Sequence, residues 1–191
     1  SGSKTFSLTV NQGTITLNNN GATSAGTDKI YATYNTNVYL TTWGSNAMTT
    51  SANGITVPTK TGYSFGGYYD STNYTTQYID ANGKITSNGL TAGKALKANA
   101  TWYAKWTACT YTVVYNANGG TGTTSNSGHT YNVEKALTTN AFTRHGYTFA
   151  GWATSSTGSV VYADKASVKN LSSTCGGTVN LYAKWNPITV E

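Results

Sequence analysis

The sequence predicts an α+β, β-rich chain built as two tandem modules, each a small mixed sheet with at most one short helix. Three observations carry this. Apolar and polar residues alternate in short runs, as in half-buried strands; Asn-Gly pairs punctuate those runs; and four blocks occur twice in the same order. Trp102-Tyr103-Ala104-Lys105-Trp106 returns as Leu181-Tyr182-Ala183-Lys184-Trp185. Thr61-Gly62-Tyr63-Ser64-Phe65-Gly66-Gly67-Tyr68 returns as His145-Gly146-Tyr147-Thr148-Phe149-Ala150-Gly151-Trp152. Upstream, Ala32-Thr33-Tyr34-Asn35 through Leu40 matches His129-Thr130-Tyr131-Asn132 through Leu137, and Ile15-Thr16-Leu17 with Asn20-Gly21 matches Val113-Val114-Tyr115 with Asn118-Gly119. The offset shrinks from 98 residues between Asn20 and Asn118 to 79 between Trp106 and Trp185. The first copy therefore holds insertions between Leu40 and Gly62 and between Tyr68 and Trp102, expected on surface loops where backbone keeps its water. The division that follows is module 1 at 1–107, module 2 at 108–186, and a severed start of a following module or a linker at 187–191.

Each element has a local reason. Phe6, Leu8 and Val10 alternate with polar residues, Asn11-Gln12-Gly13 interrupts, and Ile15 and Leu17 resume, which predicts a hairpin. Tyr111, Val113 and Tyr115 give the corresponding strand of module 2, ended by Asn118-Gly119-Gly120. Asn20-Gly21, Asn53-Gly54, Asn82-Gly83, Asn88-Gly89 and Asn118-Gly119 are expected turns, because both residue types tolerate positive φ. The closing strands are 96–106 and 178–185, with Val179, Leu181, Ala183 and Trp185 on one face of the second. Asp164 to Leu171 is the best helical segment, two turns at most with Asp164 as N-cap, and Ala92 to Ala98 is its fainter counterpart. The joint from Thr107 to Thr110 has no Gly/Ser tract and restricts independent tumbling.

Composition narrows the function. Only 9% of the 191 residues are charged, against about a quarter in ordinary soluble proteins. Twelve Lys and Arg against six acids leave a net charge of +6, yet the cations are scattered singly, whereas nucleic-acid binding needs them clustered. No stretch approaches the ~20 apolar residues of a membrane span, so neither nucleic acid nor direct membrane insertion is expected. Ser1-Gly2-Ser3 reads as a cloning remnant, and Trp185-Asn186-Pro187-Ile188-Thr189-Val190 resembles the start of module 2 after Trp106. The chain is therefore expected to be a monomeric piece of a longer secreted protein.

The repeated blocks resemble the Listeria–Bacteroides repeat, or internalin B-repeat, family: a strand running into Asn-Gly-Gly, a Gly-Tyr-x-Phe-x-Gly-Trp core and a final Leu-Tyr-Ala-x-Trp strand. Module 2 follows that pattern from Tyr111 to Trp185; module 1 departs from it at Ala22, at Tyr68 and in its longer middle. The resemblance implies a β-grasp-like sheet crossed by a short helix. It also implies an extracellular bacterial surface protein in which such modules space, display or adhere to a host or bacterial protein or glycan, with no catalytic residues. With first and last strands parallel and adjacent, as that fold implies, Cys109 and Cys175 start at one end of the sheet, and a disulfide between them is sensible in a secreted chain. Two free thiols are the alternative.

The remaining candidates are few. Trp43, Tyr69, Tyr74 and Tyr78 have no clear counterparts in module 2, so a rival function is a carbohydrate-binding module using Trp43 and the aromatics from Tyr68 to Tyr78. Tyr63, Phe65 and Tyr68 read instead as core, because Tyr147, Phe149 and Trp152 repeat them. Asp70 and Asp80 are the only suggestive carboxylate pair for glycoside chemistry and read as turn residues. Around His129 no set of nucleophile, base and orienting group can be completed. Two distant cysteines fall short of a zinc site. No metal, no cofactor and no enzyme activity are expected.

Overall fold

The structure, a computed structural model, describes residues 1–5 and 11–190. The Phe6–Val10 arm of the expected hairpin lies outside the described residues. The chain is β-rich with mixed sheets and one short helix, and it divides into two compact units, Ser1–Thr107 and Ala108–Glu191.

The first unit holds β1 (Gln12–Asn18), β2 (Lys29–Thr33), β3 (Asn37–Thr42), β4 (Ser45–Ala47), β5 (Tyr63–Tyr69), β6 (Gln77–Ile79), α1 (Ser87–Lys94) and β7 (Ala100–Ala108). Its seven-stranded sheet runs β4-β3-β2-β1-β7-β5-β6. At its centre β1 and β7 are parallel, registered from Ile15 opposite Ala100 to Asn18 opposite Tyr103. Alternation sorts their side chains: Ile15, Leu17, Trp102 and Ala104 face a core shared with Ile30, Val38, Tyr68, Ile79 and Ile85.

Among the described residues the one helix overlaps the fainter expected segment, Ala92 to Ala98, only at its last three residues. It spans Ser87–Lys94, where Asn88-Gly89 was expected to turn, and the Thr86 side chain caps it by accepting from Gly89 N at 3.0 Å. Gly89 and Gly93 are its buried residues. A Cβ on Gly89 would meet the Tyr78 carbonyl oxygen at 2.1 Å, and one on Gly93 would meet Val38 Cγ2 at 2.3 Å. The helix is thus held by close backbone approach, which glycine alone permits, and it presents no broad apolar stripe to find in the sequence.

The second unit holds β8 (Thr110–Asn116), β9 (Ser127–Thr130), β10 (Lys135–Ala136), β11 (Tyr147–Ala153), β12 (Ser167–Val168) and β13 (Gly177–Pro187). Its main sheet runs β11-β13-β8-β9, with β10 and β12 as a separate antiparallel ribbon. The central pair, β8 and β13, is again parallel, from Tyr111 opposite Gly177 to Asn116 opposite Tyr182. Its core gathers Tyr111, Val113, Tyr115, Leu137, Phe142, Trp152, Val168, Leu181 and Ala183.

The segment Asp164–Leu171 is not helical. Lys165 and Asn170 take φ of +60° and +58°, which a right-handed helix cannot accommodate, and Ser167–Val168 pairs with β10. Asp164 caps no helix; its Oδ1 accepts from Asn140 N at 2.9 Å and ties down a neighbouring loop.

The glycine contact in α1 yields a test with opposite signs for neighbouring residues. Gly89→Ala is expected to destabilise the first unit by about 1–3 kcal/mol through overpacking, although alanine is the better helix former. Asn88→Ala, at an exposed position one residue earlier, is expected to be neutral or slightly stabilising. Urea unfolding of the two variants measures both.

Candidate functional site

The repeated signature residues make the same internal contacts in both units. Trp106 Nε1 donates to Asn19 O at 2.8 Å, and Trp185 Nε1 donates to Ala117 O at 3.0 Å. Asn20 and Asn118, both at positive φ, each donate Nδ2 to the last strand, to Ala104 O at 3.2 Å and Ala183 O at 2.9 Å. A run of rings follows in each: Trp106, Phe65 and Tyr68 at 5.4 and 5.3 Å, and Trp185, Phe149 and Trp152 at 5.8 and 4.9 Å. Gly67 (φ +104°) and Gly151 (φ +135°) sit against facing carbonyls, where a Cβ would come within 2.2 Å of Ile79 O and 2.7 Å of Tyr162 O. Gly62 and Gly146 both turn the chain at φ +79°.

The expected core triplets are only partly core. Tyr68 and Trp152 are fully buried at 0% exposure, and Phe65 and Phe149 are half-buried. Tyr63 and Tyr147 are also half-buried but stand outside the core clusters, each beneath a cation: Lys60 Nζ stands 4.5 Å from one ring centroid and Arg144 Cζ 3.9 Å from the other. Tyr63 N and Tyr147 N bond back to Lys60 O and Arg144 O, so the same turn that starts each strand positions its cation.

The four aromatics special to the first unit do not assemble. Trp43 is 41% exposed in the β3–β4 turn, with its ring against Tyr31 at 4.7 Å and its Nε1 on Ala32 O at 3.2 Å. In the sheet order β2, β1 and β7 lie between that edge and β5, which carries Tyr69. Tyr78 packs on Trp102 at 4.8 Å against the core. Only Tyr69 and Tyr74 pair, at 5.7 Å and 86°, and Lys105 Nζ stands 5.4 and 5.8 Å from their centroids. Tyr74 takes φ +53° and its hydroxyl accepts from Asn20 Nδ2 at 2.9 Å, so the pair is built into the Asn20 clamp.

An open depression of about 460 Å³ lies nearby, lined by Thr16, Asp70, Ser71, Asn99, Thr101 and Tyr103. Thr16, Thr101 and Tyr103 are outward residues of the β1–β7 pair, which sequence reasoning did not single out. Alternation marks them as outward, but only the family resemblance, with its parallel and adjacent first and last strands, implies that β1 lies beside β7. Asp70 Oδ1 accepts from Thr75 N and Thr76 N at 3.1 and 3.0 Å, and Asp80 Oδ1 accepts from Asn82 N and Lys84 N, both at 2.9 Å. Each carboxylate staples its own turn.

In the second unit, Cys109 and Cys175 form a disulfide with Cα atoms 4.5 Å apart. His129, 2% exposed, stacks on Tyr111 at 5.3 Å, and its Nε2 is 2.7 Å from Ser127 Oγ. Ser127 Oγ lies 2.7 Å from the Tyr115 hydroxyl, which accepts from Thr138 N at 2.9 Å. The His129 Nδ1 is buried without a hydrogen-bond partner, and the run forms a core polar network. Burial, and then the Lys135 ammonium, hold the His129 pKa below its ordinary value. Among the described residues no group of three or more His, Cys, Asp and Glu is placed to hold a metal.

Two outcomes follow from these buried polar groups. The Tyr68 hydroxyl is buried without a partner, and burial raises its pKa to about 12. Tyr68→Phe is therefore expected to stabilise the first unit by about 1 kcal/mol, read as a higher urea midpoint. For His129 the depressed native pKa means the unfolded chain binds more protons below the ordinary value near 6.5. Stability is full above that value and falls as pH drops from it through the native pKa, by at most about 1.4 kcal/mol per pH unit. Urea unfolding of His129→Gln between pH 7 and about 5, above the main carboxylate range, is expected to lose that slope.

No solved structure matches the chain. No helix among the described residues is long and apolar enough to cross a membrane. Residues 111–184, from the first strand of the second unit to the last, match the family model of the Listeria-Bacteroides repeat domain (List_Bact_rpt).

Proposed function

We propose that the chain is a non-enzymatic stretch of tandem repeats from an extracellular bacterial surface protein, acting as a spacer that presents a neighbouring region. In this reading the first unit is a divergent copy of the repeat matched in the second, and both share a β-grasp-like plan. One observation carries it: the duplicated residues are consumed by internal contacts. The paired Trp and Asn bonds onto backbone carbonyls, the ring runs and the glycine contacts recur position for position. A signature used inside the fold maintains a shape, and a maintained shape of fixed length is what a spacer requires.

Adhesive contact with a protein or glycan is secondary here. Tyr78 is turned to the core, Trp43 stands apart, and the Lys105 ammonium already covers Tyr69 and Tyr74. The Asp70 oxygen that faces its own loop is engaged by two backbone amides.

The test is replacement. The chain is displayed on a bacterial surface with an epitope tag at its outer end, and antibody access to the tag is measured. Deleting both units is expected to lower access, and an unrelated rigid domain pair of equal length is expected to restore it. If only the native sequence restores access, the units act through specific contacts and the spacer reading fails.

A further inference from the structure

We propose that the second unit is a load-bearing element whose disulfide carries tension past the folded core, while the first unit is extensible. This inference rests on the spacer reading, since a surface spacer transmits force between what anchors it and what it holds.

Covalent connectivity fixes the force path. Tension enters the second unit at Ala108 and leaves beyond Pro187, the end of β13. The first strand, β8, and the last, β13, are adjacent and parallel over six residue pairs, from Tyr111–Gly177 to Asn116–Tyr182. Pulling the start of β8 against the end of β13 slides one strand along the other. The rungs between them are then loaded together in shear, not opened one at a time from an end.

The disulfide precedes both strands. Cys109 stands directly before Thr110, where β8 begins, and Cys175 stands two residues before Gly177, where β13 begins. Force arriving at Cys109 crosses the sulfur–sulfur bond to Cys175 and continues along β13. Residues 110–174 lie off this path, and they include most of the core: Tyr111, Val113, Tyr115, Leu137, Phe142, Trp152 and Val168. While the bond is intact they cannot be drawn out into extended chain. Only the stretch from Cys175 onward stays on the path, and β13 is already extended.

The first unit has the parallel pair without the bond. Its β1 and β7 are registered from Ile15–Ala100 to Asn18–Tyr103, and both cysteines of the chain lie in the second unit. Its rungs resist shear, but once they fail the whole stretch between the two strands extends. One chain therefore joins an extensible unit in series with one of nearly fixed length.

Single-molecule pulling of the full chain by its two termini tests this. Unreduced protein is expected to give one long extension, roughly 300 Å at about 3.3–3.6 Å per residue, from the first unit. The second unit is then expected to add almost no length, because β13 is already an extended strand at about 3.3 Å per residue. With dithiothreitol present, a second long extension of roughly 250 Å is expected. The Cys109→Ser, Cys175→Ser double variant should show that second extension without reductant. Two long extensions in the unreduced wild type overturn the proposal, and so does a second extension that stays short after reduction. If the double variant does not fold, the reductant arm on wild type decides alone. A bypass seen in pulling, together with failed restoration by the unrelated domain pair, would separate the device from the spacer reading and remove only the latter.

Discussion

The parallel pairing of first strand with last is the constraint on which each unit depends. Two parallel neighbours cannot be joined by a tight turn, so the chain between them must leave the sheet and return by a long crossover. In the second unit that crossover runs from Asn116 to Gly177, and in the first from Asn18 to Ala100. The signature residues serve this geometry. The Asn-Gly turn starts the departure, and its Asn side chain reaches across to a carbonyl of the returning strand, Ala104 or Ala183. The terminal Trp closes the same corner from the other side, through its indole N–H on Asn19 O or Ala117 O. Departure and return are thereby bonded at one point by residues roughly 65 to 90 positions apart in sequence, a closure whose entropy cost grows only slowly with loop length.

The crossovers solve the same problem differently. The first unit lays α1 against its sheet with glycine at the contact, Gly89 on the Tyr78 carbonyl and Gly93 on the Val38 side chain. The second uses the β10–β12 ribbon, whose Val168 and Leu137 reach the core, and adds the disulfide at the strand starts. A covalent closure of a loop this long is worth about 4 kcal/mol in the chain-entropy account.

How far this was legible depended on which period each element wrote into the chain. Strands such as Thr110–Asn116 alternate cleanly because one face is buried, and Tyr111, Val113 and Tyr115 named that face directly. The helix wrote no period, since its buried residues are Gly89 and Gly93, which score as turn formers. Conversely Ala166, Val168 and Leu171 mimic a helical spacing while packing from an irregular segment that Lys165 and Asn170 bend at positive φ. The aromatic candidates failed as a platform for a related reason. Sequence proximity grouped Tyr69, Tyr74 and Tyr78, but a register shift between β5 and β6 leaves Tyr78 unopposed there and packed on Trp102. The depression beside Tyr103 was invisible because it needs β1 and β7 as neighbours, and no local pattern encodes that pairing.

Asparagine ties composition to architecture. Among the described residues, nine non-glycine positions have positive φ, and seven of them are Asn. A chain with few charges thus uses its amides to bend backbone and bridge strands, not merely to stay wetted. The outward positions of the signature behave differently. Lys105 covers Tyr69 and Tyr74, whereas the corresponding Lys184 reaches the Ser156 carbonyl. Lys105 and Lys184 thus exchange partners, whereas the cation above Tyr63 recurs above Tyr147. The inward contacts are therefore held in common while the outward ones are shared only in part.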